Sequence, residues 1–346
     1  MRIHDLPSRA IGPLCGTFGA VALAVGVALG SGPAAAQQTY RMKFATQTLN
    51  DAQHEYIKVF KREIEKVTQG RIQVGVFPAS QLGGAQRQSE GLRLGSIEAA
   101  IGPGELFVGA DQRLQGLALS GLFNDLDKSR MQVHLPGVRK AIADIAASKN
   151  LLFIGAAMYD LQSFVFKAPV STLDGFTGKR IRVLASDGEQ AMVRALGGSA
   201  VPMSLPEVLP ALQQGTIDGV NSGKGVFVAF KYYDAAPNLL QTHLWAIVSV
   251  ALVSRVWYDK LPPDLQKAVR DVGEGIEPEI DKYSSDRAVA DSNAWTANGG
   301  KIVKLSPAEQ QDAEKRVVTA IQPILDNTPG LKEFYGELKA AIASGH

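Results

Sequence analysis

Three segments between residues 179 and 223 carry most of the information in this chain. They read Lys179-Arg180-Ile181-Arg182-Val183, Pro202-Met203-Ser204-Leu205-Pro206-Glu207-Val208 and Ala211-Leu212-Gln213-Gln214-Gly215-Thr216-Ile217-Asp218-Gly219. The first is an apolar strand pattern that contains one arginine, Arg182. Ser204 and Glu207 have capping-box spacing, which predicts that a helix begins there. A strand arginine, helix starts and a following Gly- and Ser-rich turn suit a site for a small anion.

On both sides of these segments, short β-rich runs alternate with amphipathic helical patterns, which predicts an α/β architecture. The predicted strands are 40–46, 71–77, 97–101, 151–156, 163–167, 180–184, 248–254 and 301–305. A helix is predicted over 52–68, one or two long helices over 263–298 with a kink at Pro278, and a C-terminal helix after Ser306.

The length predicts two domains, since domains average roughly 150 residues. The strand at 248–254 follows a complete α/β block, so we expect the chain to return late to its first domain. The predicted division is 37–160 with 248–287 for the first domain, and 161–247 with 288–346 for the second.

The N-terminus has the pattern of a signal peptide. Arg2 and Arg9 precede an uncharged apolar run over 16–30, and Ala34-Ala35-Ala36 provides small residues for cleavage after Ala36. The alternative is an uncleaved anchor, but Gly- and Ala-rich segments insert weakly into membranes. The rest of the chain has no cysteine and no second apolar run long enough to span a bilayer. We therefore expect a periplasmic protein whose mature chain does not insert into the membrane.

Composition and motifs argue against several other classes. The formal net charge of +2 gives no reason to expect nucleic acid as a partner. The sequence lacks a Gly-x-Ser-x-Gly elbow, a phosphate-binding Gly-rich loop and a dinucleotide fingerprint. The histidines after the leader do not have metal-ligand spacing; they are His54, His134, His243 and His346. We therefore predict no catalytic residues, no metal and no cofactor.

Arg182 and the polar residues after position 220 are the best candidates for binding a ligand. The planar guanidinium of Arg182 matches a carboxylate with two parallel hydrogen bonds. The alternative is a strand arginine on the solvent face, which is the commoner fate of arginine. Asn221 and Ser222 offer amide and hydroxyl donors on a predicted flexible turn, although the same residues fit an ordinary turn or helix start.

Further candidates follow predicted strands. Gln47 comes after the first strand, where ligands of open α/β sheets usually bind, and Glu105 comes after the strand at 97–101. Tyr159 and Trp245 are candidate aromatic walls of a pocket, although core packing is the commoner fate of both.

Several segments give the chain a resemblance to a known family. It resembles the DctP-type solute receptors of tripartite ATP-independent periplasmic (TRAP) transporters in order and spacing over nearly the whole chain after the leader. The matching segments are Phe77-Pro78-Ala79-Ser80-Gln81-Leu82-Gly83-Gly84, Leu94-Gly95-Ser96-Ile97-Glu98, Gly178-Lys179-Arg180-Ile181-Arg182-Val183, Pro202-Met203, Glu207-Val208, Ala211-Leu212-Gln213-Gln214-Gly215, Ile217-Asp218-Gly219 and Trp257-Tyr258-Asp259-Lys260-Leu261-Pro262.

The resemblance implies a fold like that of type II periplasmic binding proteins: two α/β domains, a ligand cleft between them and a long helix that spans both. It implies a receptor that binds a small organic acid and delivers it to a small and a large membrane subunit. Arg182 matches the carboxylate-binding arginine, Leu205 an apolar wall and Gln47 a polar contact.

Two departures from the family pattern concern the ligand. Many members follow the Asp-Gly pair with Gln-Glu-Asn-Pro, and Ser222 stands here where the ligand-binding asparagine would be. Sialic-acid receptors carry a second arginine near the position of Gln162, so sialic acid is not expected. Together they suggest a monocarboxylate or small organic acid, with an apolar or aromatic part. The alternatives are a secreted hydrolase or isomerase with Glu105 or a histidine as base, and a binding protein for a sensor kinase.

Overall fold

A nine-stranded mixed sheet forms the centre of the fold in the computed structural model, which describes residues 38–346. The predicted signal peptide and its cleavage site therefore lie outside the described residues. The strands are β1 (Tyr40–Ala45), β2 (Ile72–Phe77), β3 (Ala99–Pro103), β4 (Leu151–Phe166), β5 (Arg180–Val183), β6 (Ser199–Pro202), β7 (Gly219–Ser222), β8 (Asn238–Ser254) and β9 (Lys301–Lys304).

Helices cover both faces of this sheet. They are α1 (Ala52–Val67), α2 (Ala85–Leu94), α3 (Leu126–Gln132), α4 (Pro136–Ser148), α5 (Asp187–Ala195), α6 (Leu205–Gln214), α7 (Lys224–Ala229), α8 (Arg255–Tyr258), α9 (Pro263–Gly275), α10 (Glu277–Ala297), α11 (Pro307–Ala320), α12 (Gln322–Asn327) and α13 (Leu331–Ser344). A 3₁₀-helix follows β3 at Gly104–Phe107, and another spans Gln112–Ala118. Among residues 38–346, no helix combines the length and the apolar character that a membrane span requires.

The strand order is β2-β1-β3-β8-β4-β7-β5-β6, with β9 added beside β8. Parallel strands β1, β2 and β3 form the first half of the sheet, and parallel strands β5, β6 and β7 form the second half. The long strands β4 and β8 lie between the halves and pair with each other in antiparallel fashion. Helix α10 contacts α1 beside the first half and α7 and β9 in the second. This arrangement confirms the predicted α/β class with a long helix along both halves.

Strand β4 is irregular where it crosses between the halves. Its pairing with β8 shifts register between Phe153 and Gly155, between Met158 and Asp160, and between Leu161 and Ser163. Each shift is a β-bulge or a similar irregularity, which bends a strand and redirects its side chains. The middle of β4 therefore does not follow the strict alternation of a flat strand.

Two apolar cores lie on opposite faces of the sheet. Phe44 of β1 packs on one face with Tyr56 and Phe60 of α1, at ring-centroid distances of 6.1 and 5.4 Å. Phe164 belongs to the core of the other face. Burying each large apolar side chain contributes about 1.5–3 kcal/mol, so these cores account for much of the stability.

The structure confirms the predicted start of α6 and corrects several other predictions. The backbone N–H of Ser204 donates to Glu207 at 3.0 Å, as the capping-box spacing indicated. The predicted strands at 151–156 and 163–167 are the two ends of β4, and β6 and β7 were not predicted. The predicted break near Pro278 lies at Ile276, between α9 and α10, and Pro278 itself lies in the first turn of α10, which does not need its missing N–H.

Candidate ligand-binding site

A cavity lies at the carboxyl ends of β1, β3, β5 and β7 and against the middle of β4 and β8. We call it the site cavity. It is lined by Gln47, Thr48, Gln53, Pro103, Leu106, Tyr159, Gln162, Arg182, Leu184, Glu189, Leu205, Asn221, Ser222, Val226 and Ile247. The structure thus brings residues of both halves of the sheet to one cavity.

Arg182 is buried in the wall of the site cavity, with 2% of its surface exposed. Strand β5 pairs on one side with β6 and on the other with β7, so Arg182 lies inside a parallel sheet and not on a solvent face. Its Nε donates to the carbonyl oxygen of Met203 at 2.9 Å, and Nη1 lies 3.5 Å from the carbonyl oxygen of Asn221.

The Arg182 guanidinium has no close anionic partner. Within residues 38–346, no carboxylate oxygen lies within 4.0 Å of its nitrogens. Burial lowers the pKa of Arg182, and the more distant Glu189, Tyr232 and Glu105 raise it. A buried cation without a counter-ion is costly, so a carboxylate bound here would offset part of that cost.

Glu189 is a second buried charged residue of the site cavity and was not among the predicted site residues. Its Oε2 accepts the backbone N–H of Leu184 at 2.7 Å, while Oε1 has no hydrogen-bond partner. Burial raises the pKa of Glu189 to about 7, although Arg182 acts in the opposite direction. Ser186 and Glu189 have capping-box spacing, and this was the signal that could have identified Glu189.

Glu105 lies in the 3₁₀-helix after β3 and does not line the site cavity. Its neighbour Leu106 does, and Glu105 itself lines an adjacent surface groove. Both carboxyl oxygens of Glu105 are buried without a hydrogen-bond partner. Burial raises the pKa of Glu105 well above its usual range, and the nearby Glu189 raises it further. The prediction of Glu105 as a direct ligand contact is therefore corrected to a position behind the cavity wall.

Asn221 and Ser222 line the site cavity, but they do not lie on a flexible turn. They end β7, a buried strand that pairs with β4 and β5, and α7 begins directly afterwards. Asn221 Nδ2 donates to the carbonyl oxygen of Ser163 at 3.3 Å, and Oδ1 has no partner. The predicted turn is wrong because hydrogen bonding on both sides outweighs the weak strand propensity of Gly, Asn and Ser.

Tyr159 and Gln162 line the site cavity from β4. They are three residues apart, so a regular strand would point them to opposite faces. The two register shifts around them remove that alternation, and both side chains reach the cavity. Gln162 Oε1 is buried without a hydrogen-bond partner, whereas the hydroxyl of Tyr159 lies beside the Asp51 carboxyl.

Gln47 reaches the site cavity from the end of β1, and Leu205 from the first turn of α6. Gln47 Nε2 is buried without a partner, whereas the nearby Gln53 accepts a hydrogen bond from Thr46 at 2.9 Å. Gln53 was not predicted as a site residue, because a glutamine in the first turn of an amphipathic helix has no distinctive sequence signal.

Trp245 lies in the core and does not line the site cavity. Its ring is fully buried and packs edge-on against Phe164, with centroids 6.0 Å apart. The prediction of Trp245 as a pocket wall is therefore wrong. Both faces of β8 are buried, so its sequence is apolar on both sides. The apolar pattern therefore did not show whether Trp245 faces the core or the cavity.

The chemistry available in the site cavity is that of binding. It joins a buried cation, several unpartnered polar atoms and an apolar wall, and none of the histidines among residues 38–346 lines it. Within the same residues, no cluster of His, Cys, Asp and Glu has an arrangement that could hold a metal ion. The arrangement can hold a small anion with additional polar groups.

Known proteins share this architecture. The model of the DctP family, bacterial extracellular solute-binding protein, family 7, matches residues 44–327. The uncharacterized protein YiiZ of Salmonella typhimurium is 25% identical over 295 residues, 84% of this chain and 86% of that protein. The C4-dicarboxylate-binding periplasmic protein DctP of Shewanella loihica is 24% identical over 267 residues, 76% and 74% of the two chains.

A solved structure is similar over most of its length. It is a TRAP periplasmic solute-binding protein of Xanthobacter autotrophicus Py2 with bound β-D-galacturonate, and the TM-score is 0.77 at 25% identity. The similarity covers 87% of this chain and 99% of that chain. The family match includes every residue that lines the site cavity.

Proposed function

The chain belongs to the DctP family of bacterial extracellular solute-binding proteins, and from this premise we propose that Arg182 binds the carboxylate of its ligand in the site cavity. Members of the family are binding components of transport systems and not enzymes. The chain is accordingly a solute receptor for a small organic acid.

The observation that carries the assignment is the buried guanidinium of Arg182, whose hydrogen bonds go only to backbone carbonyl oxygens. A carboxylate would pair with it through charge-assisted hydrogen bonds, which contribute about 1.5–3 kcal/mol net. A micromolar receptor needs about 8 kcal/mol in total. The rest would come from the unpartnered atoms of Gln47, Gln162 and Asn221 and from the apolar wall at Leu205.

The transport role extends to partners and location. We propose that the leader up to Ala36 is removed on export and that the mature receptor works in the periplasm. The two halves of the sheet would act as the two predicted domains, 37–160 with 248–287 and 161–247 with 288–346, and close over the acid. The closed receptor would then deliver the acid to a small and a large TRAP membrane subunit.

The test is ligand binding by matched arginine variants of strand β5. Arg182→Gln removes the buried cation, whereas Arg180→Gln removes an exposed arginine that pairs with Asp218 at 2.9 Å. Thermal-shift assays with β-D-galacturonate, succinate and other organic acids should identify an acid that stabilises the wild type. We expect stabilisation by that acid to persist in Arg180→Gln and to be lost in Arg182→Gln. Unchanged affinity in a folded Arg182→Gln variant would refute the assignment.

A further inference from the structure

Glu189 has one oxygen fixed by the fold and one oxygen left over. In an ordinary capping box the glutamate would accept the backbone N–H of the cap residue, here Ser186. Glu189 Oε2 instead accepts the N–H of Leu184, which lies two residues closer to β5. Glu189 lines the site cavity, and its Oε1 is buried without a hydrogen-bond partner. Only 1% of the residue surface is exposed.

Arg182 does not satisfy this oxygen, since no ion pair within 4.0 Å joins the two residues. A buried acceptor without a hydrogen bond costs free energy, and a charged acceptor costs more than a neutral one. A ligand held at Arg182 by its carboxylate could supply the missing donor from another part of its structure. The cavity therefore combines a position for an anion with a separate position for a donor.

Other unpartnered atoms point to the same kind of ligand. Gln162 Oε1 and Asn221 Oδ1 are also buried acceptors without partners in the wall of the site cavity. The Asn221 amide is oriented by its Nδ2 bond to Ser163, which leaves the oxygen free. Gln47 Nε2 is the matching unpartnered donor. Apart from Arg182, the unpartnered amide and carboxyl atoms named here include more hydrogen-bond acceptors than donors. They therefore favour a ligand that carries hydrogen-bond donors.

We propose that Glu189 accepts a hydrogen bond from a hydroxyl group of the bound acid, so that the site cavity prefers hydroxylated monocarboxylic acids to deoxy acids and to dicarboxylic acids. This inference rests on the proposed role of Arg182 as the carboxylate anchor. A deoxy acid leaves Glu189 Oε1 unsatisfied. A second carboxylate near Glu189 would add like-charge repulsion in a site from which water is excluded.

The ionisation of Glu189 sets the conditions for the test. Burial raises the pKa of Glu189 to about 7, while Arg182 from β5 and the Leu184 N–H act in the opposite direction. Glu105 faces it from the 3₁₀-helix after β3, and burial raises the pKa of Glu105 well above its usual range. Measurements at pH 8 therefore compare ligands against an ionised Glu189, and raising the pH should strengthen the discrimination against dicarboxylates.

The first experiment is isothermal titration of the mature wild-type protein at pH 8 with three six-carbon acids. D-Gluconate carries hydroxyl groups and one carboxylate, hexanoate lacks the hydroxyl groups, and D-glucarate adds a second carboxylate. We expect gluconate to bind about ten- to a hundredfold more tightly than either of the others, which corresponds to one charge-assisted hydrogen bond. Equal or tighter binding of hexanoate or glucarate would overturn the proposal, and so would failure of gluconate to bind.

The second experiment inverts the polarity of the cavity wall. In Glu189→Gln the side-chain oxygen can still accept from Leu184, so an N–H group replaces the free acceptor. We expect this variant to bind gluconate more weakly and glucarate more tightly, which reverses their ranking. Glu207→Gln is the matched control, because Glu207 is an exposed capping-box glutamate of α6 that accepts the N–H of Ser204. Persistence of the wild-type ranking in folded Glu189→Gln would contradict the proposal.

The two proposals can fail separately. If gluconate binding survives in Arg182→Gln, the anchor is misassigned and both proposals fall. If binding depends on Arg182 but does not distinguish gluconate from hexanoate, only the role of Glu189 is wrong. If Glu189→Gln does not fold, the wild-type comparison of the three acids still decides.

Discussion

Glu277 is the residue whose loss should destabilise this fold most clearly outside the site cavity. It begins α10, has 5% of its surface exposed, and joins three other elements. Its Oε1 accepts the backbone N–H of Ala156 in β4 at 2.8 Å and Nη1 of Arg139 in α4 at 2.7 Å. Its Oε2 lies 3.1 Å from Nδ1 of His134, in the segment between α3 and α4. One carboxylate therefore ties the start of the long helix to the central strand.

The size of the effect follows from what Glu277→Ala leaves behind. The Arg139 guanidinium, with 17% of its side chain exposed, would lose its principal counter-ion. Breaking a buried ion pair by removing one partner costs about 3–5 kcal/mol. The buried N–H of Ala156 would also lose its partner, at a cost of about 1–3 kcal/mol. Because the two losses overlap in one network, we expect a total of about 3–5 kcal/mol.

Urea unfolding followed by far-ultraviolet circular dichroism measures this loss. Glu274→Ala is the matched control, since Glu274 is 69% exposed and lies 3.7 Å from the same arginine. The control should change the free energy of unfolding by less than about 0.5 kcal/mol. A loss of less than about 1 kcal/mol in Glu277→Ala, or an equal loss in both variants, would contradict this role of Glu277.

Two further predictions concern Trp245 and His134. Because the Trp245 ring lies in the core, Trp245→Phe should cost less stability than a truncation to alanine, which costs about 3–5 kcal/mol. The dissociation constant of the acid should stay unchanged. Calorimetric titration measures that constant, and weakened binding would contradict the prediction. Burial alone would lower the pKa of His134, but its contacts with Asp281 and Glu277 raise it to about 9. Its charged form therefore stabilises the fold fully below pH 6.5 and loses this effect as the pH rises through about 9. The stability advantage over His134→Gln should be about 1–2 kcal/mol at pH 6 and disappear above pH 9 in urea titrations, and an advantage independent of pH would argue against this ion pair.

The sequence supported the helices and the class of fold because those follow from local patterns. Ser306 is an N-cap in the structure, as its spacing predicted, and its side chain accepts the N–H of Glu309. Such caps act within a few residues, so one sequence is enough to identify them. The short strands β6 and β7 have four residues each, and their pairing comes from distant parts of the chain.

The candidate site was harder to predict than the fold because side-chain direction depends on tertiary pairing. Strand β5 is buried on both faces, so alternation around Arg182 could not show whether it faced a cavity or solvent. Tyr159 and Gln162 share the cavity only because β4 is irregular, and a pattern of residue types does not reveal a register shift. Glu189 is a further example. Its spacing from Ser186 indicates a capping box, but its carboxylate accepts the backbone N–H of Leu184 and not that of Ser186.

The two long strands also have a consequence for folding cooperativity. Strands β4 and β8, of 16 and 17 residues, are paired along most of their lengths and contribute side chains to the cores on both faces of the sheet. Strands β4 and β8 belong to both halves of the sheet. If one half unfolded, these two strands would lose hydrogen-bonding neighbours, and the other half would be destabilised. Residues 38–346 should therefore unfold in one transition, with the slowest amide exchange in β4 and β8. A fragment that ends at residue 160 would contain only the first part of β4, Leu151–Asp160, and would lack its partner β8, so it would not retain the native sheet.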